Sequence, residues 1–299
     1  MTYREYMRGD EVTLGVAPTG YRYSTDVNDA LPVEPESVAT HVYESMALGA
    51  TVAHLHGRDA EGNPDPTRLP AFGRAVRELC GDDVLLEYVA RPDAPLGDFL
   101  DALDGDLVPD LATVRLGPTQ TGYRTVSETS RRDTEQFVAA LTERGITPNV
   151  LVTGGADCHE LARLCEQSLL PDPPVVTVLL GAPSGAVGTP LSLLSLLDAV
   201  PDGAHVFARA TGPNQYPLTT LAFFMGAHPV VGMADNLFFD RETPVERNAQ
   251  LVRTVAQLAQ RSLRSLADIE DASRRLTIPR PSPRGTTSKR NGHGTVGRW

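Results

Sequence analysis

"NVLVTGGADCHELARLCEQSLLPDPPVVTVLLG" (residues 149–181) reads as strand, helix, strand. "NVLVT" (149–153) and "VVTVLLG" (175–181) are short runs rich in β-branched and leucine residues, and "CHELARLCEQSLL" between them carries a helical pattern. Outward from this unit the alternation continues almost to both ends. Further strand candidates are "VTLGVA" (12–17), "TVAHLH" (51–56), "VLLEYVA" (84–90), "LATVRL" (111–116), "AHVFARA" (204–210) and "PVVGM" (229–233). Helical patterns lie at "PESVATHVYESMALG", "PAFGRAVRELCG", "TEQFVAALTERG", "TPLSLLSLLDAV" and "TPVERNAQLVRTVAQLAQRSL". Several close on Gly, and the first opens with Pro and Glu. Eight strands alternating with helices predict an α/β fold of the (β/α)8 TIM-barrel type, with reactive side chains at the carboxyl ends of the strands. The alternative is an open doubly wound sheet with an added lobe. No G-x-G-x-x-G follows the first strand, which counts against its dinucleotide-binding version.

The chain has 299 residues, 41% of them hydrophobic and 22% charged, near the roughly 250 residues of one α/β barrel. We expect one barrel over residues 1–278. From Pro279 onward the sequence is rich in Pro, Gly, Ser and Arg and poor in aliphatic residues, so 279–299 reads as a disordered tail. A net charge of −11 argues against nucleic acid or an anionic membrane as partner and leaves a small molecule as the default. Cys80, Cys158 and Cys165 form no even framework and no zinc-ribbon spacing, so they read as reduced thiols. With no signal-peptide pattern and no long apolar run, a soluble, cytoplasmic protein is expected.

"AHLHGRD" (53–59) places His54 and His56 two apart on a strand, hence on one face, at the carboxyl end of the second strand. On the barrel reading they look into its mouth. They make two donors of a candidate zinc site, since a catalytic zinc takes three protein ligands and keeps one open position. Histidines at this spacing also occur on ordinary strands.

Four stretches carry a resemblance: "TLGVAPTG", "LPVEPESVATHVYESMALGATVAHLHGRDAEG", "LLPDPPVVTVLLGAPSGAVGTPLSLLSLLDAVP" and "GAHPVVGMADNLFF" with the following "ERNAQLVRTVAQLA". From about residue 12 to about residue 275 the chain resembles the β-keto acid cleavage enzymes, typified by 3-keto-5-aminohexanoate cleavage enzyme. The resemblance implies a zinc-dependent TIM barrel, a homo-oligomer (tetramer or dimer), that exchanges acyl units between a β-keto acid and acetyl-CoA. His54 and His56 fall on that family's zinc-binding histidines, and Asp235 on its catalytic aspartate.

Other positions depart from the pattern. Where the family's Glu-Asp-Asn supplies a third zinc ligand, this chain reads Ala234, Asp235, Asn236. Pro213 falls at an arginine, Arg22 at a glutamate, Val89 at a hydroxyl residue and Arg115 at an asparagine. Relative to the family, two carboxylates leave, two arginines arrive and one leaves, which makes the mouth more cationic by three charges. That balance predicts an anionic substrate gripped by Arg22 and Arg115. The alternative is that these arginines pair structurally with Glu87, Asp235 or Asp26.

Glu87 shares the inward face of strand three and is a candidate for a rebuilt third ligand, a general base, or an ion-pair partner of Arg115, the last being favoured. Thr113 and Thr153 at strand ends are candidate substrate contacts, as is Asn236. Ser184 and Gly185 in the turn "GAPSGAVG" (181–188) offer backbone amides to phosphate or the arm of CoA. Cys158 and Cys165, seven apart on a helix that also carries His159, are read as a core stripe. Two function classes follow: an enzyme of carbon–carbon bond cleavage or Claisen-type acyl transfer on an anionic keto acid with a weakened or rebuilt zinc site, or a non-catalytic barrel that binds a ligand or supports another subunit.

Overall fold

The structure is a computed structural model and describes residues 11–59, 61–89, 96–105, 107–120, 126–127, 129–183, 185–240, 242–262 and 264–279. Eight parallel strands close into a barrel: β1 (Leu14–Val16), β2 (Ala50–Leu55), β3 (Leu85–Tyr88), β4 (Leu111–Arg115), β5 (Thr147–Val152), β6 (Val175–Leu180), β7 (His205–Ala210) and β8 (His228–Val231). They neighbour one another in chain order, and β1 closes the ring against both β2 and β8. A helix follows each strand: α1 (Pro35–Met46), α2 (Leu69–Cys80), α3 (Leu96–Leu103), α4 (Arg131–Glu143), α5 (Gly155–Glu166), α6 (Pro190–Ala199), α7 (Gln215–Phe224) and α8 (Asn248–Gln260). The TIM barrel is thus the observed fold, and the open-sheet alternative falls. The boundary expected at 278 stands without a test, because 280–299 lie outside the described residues.

Period-two alternation sorts each strand between two cores. Outward-facing Ala53, Leu55, Leu86, Tyr88, Ala112, Val114, Val150 and Val176 pack under the helices with apolar residues of α1, α2 and α4. Inward-facing Val52, Leu85, Leu111, Val175, Phe207 and Val230 fill the barrel interior. A short helix, α9 (Ile269–Arg275), adds Ala272 and the following Leu276 and Ile278 to that interior cluster and closes one end. One residue pair further along the strands, the inward positions turn polar at His54, Glu87, Thr113, Asn149, Thr177 and Arg209, all buried. The barrel is therefore apolar at its floor and polar towards its mouth.

Helices α3, α7 and α9 have no counterpart among the sequence-predicted segments. Pro217 obscures α7, yet it sits in the helix's first turn, where no intrahelical N–H is required. Elsewhere local signals act as expected: Pro35 opens α1, and Ser130 and Thr189 accept backbone N–H bonds at the starts of α4 and α6. Among the described residues no helix is long and apolar enough to cross a membrane. The three cysteines are free, and Cys158 and Cys165 pack into the outer core.

Candidate active site at the barrel mouth

The mouth holds a narrow cleft of about 430 Å³, counting the part open to solvent, whose walls include Tyr21, Arg22, His56, Glu87, Thr113, Arg115, Arg209, Ala234 and Asp235. The β1–α1 loop supplies Tyr21 and Arg22, strands β2 to β7 supply most of the other polar groups, and the turn after β8 supplies Ala234 and Asp235.

His54 and Glu87 are register partners on β2 and β3. Nδ1 of His54 lies 2.6 Å from Oε2 of Glu87. The other carboxylate oxygen accepts hydrogen bonds from Thr113 Oγ1 at 2.6 Å and Asn149 Nδ2 at 2.9 Å, and Asn149 also donates to Thr177 at 2.9 Å. Burial works to raise the pKa of Glu87, but His54 and the two donors outweigh it and hold the carboxyl below its ordinary value. Glu87 is therefore ionised and anchored in this network, not paired with Arg115 as expected. Its Oε1 takes both hydrogen bonds and its Oε2 faces His54, so the carboxylate is spent on holding this layer together.

Arg115 Nη2 instead donates to the hydroxyl of Tyr21 at 3.0 Å and lies over its ring. Tyr21 meets His56 edge-on, with ring centroids 5.5 Å apart. Burial first, then Arg209, Arg115, His54 and Arg58, push the pKa of His56 well down, so its imidazole is neutral. Arg58, itself buried, donates to the carbonyls of Gly62 and Tyr23 and ties the β2–α2 loop to the β1–α1 loop.

Arg209, which the sequence reading passed over, enters the cleft from β7 and donates from Nε to Oδ2 of Asp235 at 2.8 Å. Burial opposes its charge, but Asp235 and Glu87 raise its pKa, so the guanidinium stays charged. Pro213, four residues later, lies in the short turn Gly212–Asn214, so β7 does present an arginine to the mouth, from a different position. The signal was a charged residue two positions after Phe207 on one face of an apolar strand, since a buried charge needs a partner.

The remaining expectations divide. Arg22, Arg115, Thr113 and Asp235 line the cleft. Thr153 does not: its amide and hydroxyl donate to Asp157 at 2.6 and 2.8 Å at the start of α5. Gly185 packs against that same Thr153, through its neighbour's bond from Ala186 N to Thr153 O at 2.6 Å. Asn236 turns towards the groove between α7 and α8 and donates to Phe238 O at 2.7 Å. Ser184 lies outside the described residues.

Besides Nδ1 of His54, which faces Glu87, the buried Nε2 of His54 and Nδ1 of His56 have no hydrogen-bond partner among the described residues, so two candidate metal donors survive, of which His56 lines the cleft and His54, its Nε2 towards Gly15, does not. A third donor does not survive. Ala234 has no donor atom, Asp235 is engaged with Arg209, and among the described residues no three His, Cys, Asp or Glu side chains group to hold a metal ion. With Arg209, Arg115 and Arg58 acting on the same imidazole, these residues do not fit a resident three-ligand zinc.

A sequence profile of the beta-keto acid cleavage enzyme family matches residues 11–278. The 3-keto-5-aminohexanoate cleavage enzyme of Fusobacterium nucleatum is 26% identical over 271 residues, covering 90% of this chain and 98% of its own. The 3-dehydrocarnitine:acetyl-CoA trimethylamine transferase of Rhizobium meliloti is 22% identical over 291 residues, covering 90% and 97%. Among solved structures, apo ObcA superposes with a TM-score of 0.67 at 16% identity over 83% of this chain, which spans 66% of the ObcA chain, just under two thirds. A ternary complex of ObcA with a C4-CoA adduct and oxalate gives 0.66. At this identity the structural likeness speaks for the fold alone.

Proposed function

The chain belongs to the beta-keto acid cleavage enzyme family, and from that premise we propose that its mouth carries out carbon–carbon acyl exchange on an anionic β-keto acid, with acetyl-CoA as the second substrate. In this reaction R–CO–CH2–COO⁻ and CH3–CO–SCoA give CH3–CO–CH2–COO⁻ and R–CO–SCoA; the R–CO group moves to sulfur and the acetyl group to the carboxymethyl carbon. The observation that carries the reading is the convergence of Arg22, Arg115 and Arg209 with His56 on one cleft at the carboxyl ends of the strands.

Guanidinium groups suit a carboxylate because they present paired donors in one plane. Arg115 and Arg22 take the substrate carboxylate, beside Tyr21, whose hydroxyl accepts from Arg115. Glu87, itself held by Thr113 and Asn149, fixes His54, while Asp235 orients Arg209. The name of one relative, the 3-dehydrocarnitine:acetyl-CoA trimethylamine transferase, supports the second substrate. A homo-oligomer, tetramer or dimer, and a cytoplasmic location belong to the same proposal, the first checked by light scattering.

The test is mass-spectrometric detection of acetoacetate and a new CoA ester after incubation with acetyl-CoA and a panel of β-keto acids. Formation of both, lost in Arg115→Met, is the expected result. One specific observation favours the non-catalytic class, the alanine at 234; ligand binding with no product from any acid would establish that class instead.

A further inference from the structure

We infer that in this barrel Arg209, oriented by Asp235, receives the oxygen of the β-keto acid that a metal would otherwise polarise, so that the site takes its anionic ligand without a divalent ion. The inference rests on the keto-acid reading above and deepens it.

Three features of the cleft carry it. The place of a third donor is Ala234, whose side chain ends at Cβ, and the adjacent Asp235 is spent on Arg209. The pair is almost sealed, with side-chain exposures of 7% for Arg209 and 3% for Asp235. Only Nε of Arg209 has a hydrogen bond among the described residues, and neither Nη atom is a sealed, unpartnered group. The outer edge of the guanidinium is thus available to the cleft it lines, while Asp235 holds its plane.

The electrostatics point the same way. The guanidiniums of Arg209, Arg115 and Arg22 line these walls with two carboxylates, Asp235 and Glu87, so cationic side chains outnumber anionic ones by one, and Arg58 adds to the positive charge acting on His56. A divalent cation entering here meets like charge, and a carboxylate or enolate meets opposite charge, in surroundings where neither is well screened. A guanidinium aimed at a developing enolate oxygen supplies the stabilisation that preorganised donors provide in such reactions. His56, which lines the same cleft, then offers an imidazole nitrogen to the ligand, while His54 packs edge-on against Phe207.

The experiment uses the full-length wild type, purified without added metal. Elemental analysis is combined with calorimetric titration of acetoacetate and oxaloacetate before EDTA treatment, after it, and after zinc is returned. We expect zinc well below one equivalent, and affinities that change less than about twofold between the three states. Arg209→Met should weaken binding about tenfold or more, with Arg209→Lys recovering part of it. Binding lost with EDTA and restored by zinc overturns this inference and leaves the keto-acid reading standing. Failure of every β-keto acid to bind, with or without zinc, overturns both.

Discussion

Nδ1 of His54 and Oε2 of Glu87 lie 2.6 Å apart between neighbouring strands, with both side chains 1% exposed. The carboxylate is the hub of a polar layer, since Thr113 and Asn149 also converge on it. Removing a hub of this kind leaves several buried donors without an acceptor. Glu87→Ala should therefore lower stability by about 3–5 kcal/mol, measured by urea unfolding, and Glu87→Gln, which keeps one acceptor oxygen, by clearly less. Equal losses in the two variants would show that volume, not polarity, is what position 87 supplies.

Returning the missing donor is the complementary change. Ala234 lines the cleft beside His56, so Ala234→Glu should acquire stoichiometric zinc, read by elemental analysis and by thermal stabilisation on zinc addition. Wild type treated identically should show neither. If the variant folds and stays metal-free, the missing donor does not account for the lost site, and the cationic walls exclude the ion by themselves.

How far the chain announces this arrangement differs from level to level. The strands are legible because inward and outward side chains are both apolar over most of their length and turn residues bound them. That His54 and His56 share a strand face is legible from their spacing, but that His56 and not His54 lines the cleft is not. What Glu87 does is not, because it depends on the register that sets it opposite His54. Arg209 hides in "HVFARA", where one charge in a buried strand gives no hint of the Asp235 that balances it from 26 residues away. The alternation rule also stops short at Asp235. β8 ends at Val231, and the turn after it, closed by bonds from the amides of Asp235 and Asn236 to Gly232 O, brings Ala234 and Asp235 into one cleft and sends Asn236 elsewhere.

Gly57 separates His56 from Arg58 where two loops touch. A Cβ at this position would come 2.1 Å from the carbonyl oxygen of Asp65 and 3.1 Å from the backbone nitrogen of Leu69. Asp65 N donates to Gly57 O at 2.9 Å, so the contact is backbone on backbone and has no flexible side chain to yield. Gly57→Ala should cost about 3 kcal/mol or more and, if it folds, shift His56 enough to weaken ligand binding. A variant with wild-type stability and binding would mean that the loops are not fixed as described.

The junction of α8 with the barrel predicts a pH dependence. Asn248 accepts from Met233 N at 2.8 Å and donates to Pro18 O at 3.0 Å, and its side-chain nitrogen lies 2.8 Å from Nδ1 of buried His41. Nδ1 must be unprotonated to accept that bond. Burial, then the nearby Arg247, lower the pKa of His41 from 6.5 to about 4. Between those values the unfolded chain binds the proton and the folded one does not, so the contribution is complete above pH 6.5, falls as the pH drops, and levels off below about 4. His41 should account for a loss of about 2 kcal/mol between pH 7 and pH 4.5. His41→Asn keeps an acceptor near the Nδ1 position and has no proton to take up, so urea unfolding at the two pH values should show it losing less than wild type by that amount. Identical losses in the two proteins would mean that acid sensitivity arises at other histidines, of which half-buried His205, also held near 4 by burial and Arg275, is the nearest in kind.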